Sequence, residues 1–121
     1  MSWDPGFDAL LNVCEHEHRR IVLATFVEEP CIRSVQELGM RIIEQNHQIP
    51  AEEATDELHA QIAISLHHVH LPMIQSAGII AYDAEEKLVE PSPRFDQLVP
   101  VVSKILEAEF ESDAPKECVT D

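Results

Sequence analysis

The sequence predicts a small, mainly helical domain that carries one β-hairpin. Apolar residues recur at i, i+3 and i+4 spacing along most of the chain, which is the pattern of amphipathic helices. Glycine accounts for 3 of the 121 residues, which favours helices over a sandwich or a barrel. Two short β-prone runs flank one polar loop, and this arrangement predicts a hairpin. The order helix, helix, capped helix, turn, helix, hairpin is that of a winged helix-turn-helix domain.

Two helices are predicted before the first strong stop signal. Phe7 to Cys14 has the apolar spacing of a short helix, and Pro5 suits its first turn. Ile21 to Val27 predicts a second helix that ends before Pro30, with a polar side that includes Arg19.

The next segment has the signals of a capped helix followed by a turn. Cys31 to Arg33 is interpreted as a short extended link. Ser34 is a good N-cap, and Glu37 follows it at the capping-box spacing. We expect this helix to end near Asn46 and a turn to cover Asn46 to Ile49.

A long helix is predicted from about Ala51 to Ala77, with Gly78 at the position of a C-terminal glycine cap. At about 100° per residue, its side chains sort onto two faces. The polar face holds Gln61, Ser65, His68, Pro72 and Gln75. The apolar arc, which we expect to pack in the core, includes Ile62, Ile64, Leu66, Val69, Leu71, Met73 and Ile74. His67 and His70 point into this arc and are interpreted as core histidines, with a metal or pH-sensing role as the alternative.

The predicted hairpin follows this helix directly. Its strands are Ile79 to Asp83 and Lys87 to Val89, and the loop between them is Ala84 to Glu86. This hairpin would be the wing of the domain, with Lys87 beside its tip.

A last helix is predicted after Ser92. Its apolar stripe consists of Phe95, Leu98, Val102, Ile105 and Phe110. Pro100 either breaks this helix or marks its true first turn. The domain is therefore expected to cover residues 1–110, and residues 111–121 are expected to form an acidic, disordered tail.

The charge of the chain is its most unusual property. Lys and Arg total 8 against 23 Asp and Glu, for a formal net charge of −15. A hydrophobic content of 45% argues against disorder. In salt of about 1 M the Debye length is about 3 Å, so self-repulsion is screened, and the composition favours a high-salt cytoplasm over an ordinary one. No apolar run approaches the length of a membrane span, and three separated cysteines suit reduced thiols in a cytoplasmic protein.

Part of the long helix also resembles a known family. Leu66 to Pro72 reads Leu-His-His-Val-His-Leu-Pro, and Ala77 to Asp83 reads Ala-Gly-Ile-Ile-Ala-Tyr-Asp. Together with His18 to Leu23, these runs resemble small haloarchaeal winged-helix domain proteins of ArsR-like type, over roughly residues 16–89. The resemblance implies DNA binding and regulation, with no catalytic residues and no cofactor.

The leading hypothesis is therefore a homodimeric, DNA-binding transcriptional regulator. The first helix and the Phe95 to Phe110 stretch would form the dimer. Candidate DNA contacts are Gln61, Ser65, His68 and Gln75 for base edges, and Arg33, Arg41 and Lys87 for phosphates. No Ser-His-Asp, P-loop or paired-carboxylate pattern indicates an enzyme.

Two alternatives stay open. Few basic residues and an acidic helix start, with Glu52, Glu53, Asp56 and Glu57, favour a winged-helix interaction module that does not bind DNA. Cys14 and His18 at i, i+4 spacing, with His16 and Cys31 nearby in sequence, would suit a zinc or copper sensor. The leading hypothesis includes no metal.

Overall fold

The computed structural model describes residues 5–112, and it confirms the predicted fold class, mainly α with a small β wing. Its helices are α1 (Pro5–Val13), α2 (Glu17–Glu28), α3 (Val35–Ile42), α4 (Asp56–Ser65), α5 (Leu71–Ser76) and α6 (Phe95–Ser112). Its strands are β1 (Arg33–Ser34), β2 (Ile80–Asp83) and β3 (Leu88–Pro91). Among these residues, no helix has the length and apolar character needed to cross a bilayer.

The first three helices begin and end close to their predicted positions. The Ser34 hydroxyl accepts a hydrogen bond from the backbone N–H of Glu37 at 3.0 Å, so the predicted N-cap of α3 is confirmed. A π-helical turn, Ile43–His47, continues α3. Gln48 then adopts a left-handed conformation with φ of 61°, which ends the helix inside the predicted turn.

The sheet has three strands, whereas the sequence predicts two. Its order is β1-β3-β2, and both pairs are antiparallel. Arg33 pairs with Val89 in the extra strand, which the prediction treats as a plain link. A strand of two residues is too short to show alternation, so periodicity could not reveal it. We call the hairpin formed by β2, β3 and the turn over residues 84–87 the wing.

The predicted long helix from Ala51 to Ala77 begins later than expected, at Asp56, and a π-helical segment interrupts its α-helical pattern. A 3₁₀ turn, Ala51–Glu53, precedes an extended Thr55, whose hydroxyl caps α4 by accepting from the N–H of Leu58 at 3.0 Å. A π-helical segment, Leu66–His70, then joins α4 to α5. We call residues 56–76 the split helix.

The π-helical segment changes which side chains of the split helix are buried. The N–H of Leu71 donates to the carbonyl of Leu66, five residues back, and Pro72 has no N–H to donate. Residues within and after the segment are therefore rotated from their α-helical positions. Val69 and Met73, which we expect in the core, are 53% and 39% exposed. Ile64, which we also expect in the core, is 58% exposed, and Ile62 is the buried residue of α4.

The junction between the split helix and the wing follows the prediction. Gly78 has φ of 79°, and its N–H donates to the carbonyl of Gln75 at 2.9 Å. The N–H of Ile79 reaches the carbonyl of Ile74 at 3.4 Å, which completes a Schellman cap. The predicted C-terminal glycine and the predicted hairpin are both confirmed.

The C-terminal helix packs into the core of its own chain. Phe95 and Val102 are fully buried, and the rings of Phe95 and Phe26 lie 6.4 Å apart between centroids. These residues therefore cannot also cover a second subunit, which removes much of the surface on which the predicted homodimer depends. Pro100 lies inside α6 without breaking it. The helix extends two residues into the predicted tail, whose remainder lies outside the described residues, as do the side chains of Phe7 and Phe110.

A buried guanidinium connects the N-terminal helices to the split helix. Arg19, predicted on the polar side of α2, is 7% exposed. Its Nε donates to the carbonyl of Val13 at 2.7 Å, and its Nη2 donates to the carbonyl of Asn12 at 3.3 Å. Its Nη1 donates to Nδ1 of His70 at 3.2 Å. One side chain thus ties the end of α1 to the middle of the split helix.

Replacing Arg19 tests this connection. Arg19→Met keeps the aliphatic stem but leaves two carbonyls and one imidazole nitrogen without their donor. We expect the free energy of unfolding to fall by about 2–4 kcal/mol, measured by urea denaturation followed by circular dichroism. Lys104→Met removes the same charge from an exposed position on α6 and should leave stability unchanged. Equal stability of the two variants would contradict the assigned role of Arg19.

Candidate nucleic-acid interface

Two large open clefts border the split helix. The first, of about 560 Å³, lies between α3, α4 and the wing. The second, of about 630 Å³, lies between the split helix and the wing, and we call it the wing cleft. It is lined by His67, His68, Pro72, Gln75, Tyr82, Ala84 and Lys87. His67 and Lys87 line both clefts, so they stand at the boundary between them.

A hydrogen bond holds the wing against the split helix at this boundary. Nδ1 of His67 bonds to the hydroxyl of Tyr82, which lies on β2. Burial lowers the pKa of His67, and the nearby charges of Lys87 and His68 lower it further. His67 is therefore neutral at pH 7. It is half-buried, close to its predicted place in the core, but its bond to the wing is not predictable from helical spacing.

The structure brings together two of the four predicted base-reading residues. His68 and Gln75 are exposed and line the wing cleft. Gln61 is exposed and Ser65 is half-buried, and neither lines either cleft. The change of helical phase at the π-helical segment separates these two pairs, which a continuous helix would place on one face.

Two of the three predicted phosphate contacts are held in ion pairs. Arg33 is 5% exposed and donates to the carboxylates of Glu29, at 2.6 Å, and Glu37. This burial argues against the prediction that Arg33 contacts a phosphate. Arg41 is half-buried, 3.4 Å from a carboxylate oxygen of Glu28. In a chain with so many carboxylates, cationic side chains are ordinarily held in ion pairs of this kind.

Lys87 is the third predicted phosphate contact, and its position suits that role. It is exposed at the tip of the wing and has φ of 59°, a left-handed conformation that turns the chain into β3. None of the ion pairs among residues 5–112 includes it. Its side chain is therefore exposed at the edge of the wing cleft, in the same turn as the exposed Glu85 and Glu86.

The segment that forms this surface is free of carboxylates. Although 23 of 121 residues are Asp or Glu, residues 58–82 contain neither. The same segment contains no Lys or Arg, so its four histidines are its only titratable groups besides Tyr82. This gap is visible in the sequence, but its meaning depends on the fold, which places the segment between two clefts. The acidic start lies at one end, where Asp56 lines the first cleft but not the wing cleft.

The predicted thiolate and imidazole metal site does not form as expected. Cys14 is buried, and burial raises the pKa of its thiol, while Cys31 is exposed in the loop before β1. Among the described residues, the potential ligands that meet are His16, His18 and His70. Two of these belong to the predicted set, and the third comes from the split helix.

The chain belongs to the family described as domain of unknown function DUF7344, whose model matches residues 11–90. This range begins within α1 and ends within β3, so it includes the split helix and the wing but not α6. No curated protein and no solved structure compared with the chain is significantly similar to it.

The placement of Arg33 leads to a stability prediction. Arg33→Met removes a buried guanidinium with two carboxylate partners, and we expect the free energy of unfolding to fall by about 1–3 kcal/mol. Arg41→Met removes the same charge from a more open ion pair and should cost less than about 1 kcal/mol. Urea denaturation of both variants measures the difference. A larger loss for Arg41→Met would mean that Arg33 is not the structural cation.

Proposed function

We propose that this chain is a winged helix-turn-helix domain that binds double-stranded DNA and regulates transcription in a high-salt cytoplasm. The observation that carries the proposal is the carboxylate-free surface of residues 58–82, which faces the exposed Lys87 across the wing cleft. Carboxylates on a DNA-facing surface repel phosphates, so their absence from this segment of an acidic chain has a direct electrostatic benefit.

The wing cleft supplies suitable groups for reading DNA. The amide of Gln75 can pair with adenine, and the imidazole of His68 can donate to guanine or to a phosphate. Lys87 supplies a phosphate contact from the wing. With so few cations, few counterions are released on binding, so general affinity is low and discrimination comes from base edges and DNA shape.

The orientation on DNA follows from the acidic start of α4. Asp56 lines the first cleft beside α3, where it would repel a phosphate. The wing cleft has no carboxylate in its lining. DNA is therefore expected along the wing cleft, with residues 52–57 directed away. The proposal does not include the predicted homodimer, because Phe95 and Val102 are already buried within one chain.

A second candidate function has its own observation. Ile64, Val69 and Met73 are exposed on the split helix, and clustered exposed apolar residues mark protein contacts. Their spacing of five and then four residues follows the π-helical segment, so they lie along one stripe. This stripe favours a protein-interaction module if DNA binding is absent.

Selection from random duplex DNA in molar KCl tests the proposed function. We expect enrichment of a sequence, and His68→Ala should weaken binding to it by about 5- to 100-fold because one base contact is lost. Lys87→Ala should reduce the slope of log K against log salt by about 0.9. Lys104→Ala makes the same charge change on α6 and should leave both affinity and slope unchanged. Fluorescence anisotropy measures these effects.

The same experiment separates the two candidate functions. If no sequence is enriched and Lys87→Ala behaves as Lys104→Ala does, DNA binding is rejected. Loss of partner binding in Val69→Asp, with its melting temperature unchanged, would then support the interaction module. Since Val69 is 53% exposed, the Val69→Asp variant is expected to fold.

A further inference from the structure

Three histidine rings from two distant parts of the sequence meet beside Arg19. The ring centroids of His16 and His70 are 4.5 Å apart, those of His16 and His18 are 4.9 Å apart, and those of His18 and His70 are 5.7 Å apart. His70 is buried, His18 is half-buried and His16 is exposed. The cluster is therefore open to solvent on one side and closed on the other.

The spacing of the ring nitrogens suits a small cation. One nitrogen from each ring lies within 4.8 Å of the other two, so a central point is within about 2.8 Å of all three. Zinc–imidazole bonds are about 2.0–2.1 Å long, so each ring would move inward by less than about 1 Å. Tetrahedral coordination would leave a fourth position for water on the exposed side of His16.

His18 has a ring nitrogen available to bind a metal ion. Its Nε2 lies 3.1 Å from Oδ1 of Asn46, an acceptor, so Nε2 carries the proton and Nδ1 carries the lone pair. That Nδ1 is buried and has no hydrogen-bond partner. A metal ligand whose other ring nitrogen donates to an oxygen is the usual arrangement around zinc. A buried lone pair without a donor is costly unless something binds it.

The other two histidines use one nitrogen each in the metal-free protein. Nδ1 of His70 accepts from Arg19, and Nδ1 of His16 accepts from the N–H of His18 as the N-cap of α2. If the metal ion binds Nδ1 of either ring, it displaces the donor that now bonds to that nitrogen. If the metal ion binds Nε2, the ring proton moves to Nδ1, which can then no longer accept a hydrogen bond. Metal binding therefore competes with both hydrogen bonds. Arg19 keeps its two carbonyl partners on α1 when it releases His70.

The charges around the cluster act in both directions. Burial, together with the nearby charges of His16, Arg19 and His18, lowers the pKa of His70 to about 4, so this ring is neutral at pH 7 and its Nδ1 lone pair carries no proton. Arg19 and Arg20 disfavour a cation, whereas the exposed Glu17 beside His16 favours it. Three imidazoles without a carboxylate suit zinc, copper, nickel or cobalt rather than magnesium or calcium.

We infer that His16, His18 and His70 form a binding site for a divalent first-row transition metal of the zinc class. An occupied site joins the start of α2 to the π-helical segment of the split helix, in place of the Arg19–His70 hydrogen bond. The inference depends on these residues alone and does not require the proposed DNA binding.

The test uses the full metal-free chain with Zn²⁺ and Co²⁺ as probes. We expect Zn²⁺ at a hundredfold excess over its Kd to raise the melting temperature by at least about 5 °C. His16→Asn removes the exposed ligand but keeps a good N-cap residue for α2, so the fold is preserved. It should weaken Zn²⁺ binding at least tenfold, whereas His47→Asn, at an exposed histidine outside the cluster, should not.

Thiol binding is the competing explanation, and Co²⁺ spectra separate it. Three imidazoles give tetrahedral cobalt bands without thiolate charge-transfer absorption, and Cys31→Ser should leave those bands unchanged. An equal Zn²⁺ response in wild type and His16→Asn, or cobalt–thiolate absorption that Cys31→Ser removes, would overturn the assignment. Absence of Zn²⁺ binding at millimolar concentration would overturn it as well.

Discussion

A buried guanidinium must be given acceptors, and those of Arg19 come from two different elements. The carbonyls at the end of α1 and the imidazole of His70 fix where the split helix lies relative to the N-terminal helices. His70 can occupy this position because the π-helical segment turns it inward while Val69 turns outward. The position of His70 beside Arg19 therefore determines which face of the split helix is exposed, including the face that lines the wing cleft.

Most of the fold could be predicted from local signals. Ser34, Gly78 and the polar loop of the wing each act over a few residues, and each gives the element that its chemistry predicts. The late start of the split helix and its π-helical segment are different. The extended Thr55 and the π-helical segment before Pro72 both lie inside an apolar pattern that also suits one continuous helix. Periodicity at 100° per residue therefore misplaced Ile64, Val69 and Met73 in the core.

The candidate site was less predictable because its charges depend on tertiary partners. Arg33 and Lys87 are both cations in the sequence, but one is buried between carboxylates and the other is exposed on the wing. His70 is separated from His16 and His18 by more than fifty residues of chain, and spacing cannot bring it to them. Composition shows the carboxylate-free run, but only the fold shows that this run forms one wall of the wing cleft.

DNA is proposed to lie along the wing cleft. The most direct measurement is the ¹H–¹⁵N NMR spectrum of the chain during titration with mixed-sequence duplex DNA in molar KCl. We expect shifts to concentrate on residues 65–75 of the split helix and on the wing around Lys87, with α2 and α6 unchanged. Shifts that follow exposed cations such as Lys104, or a spectrum that DNA does not change, would contradict this proposal.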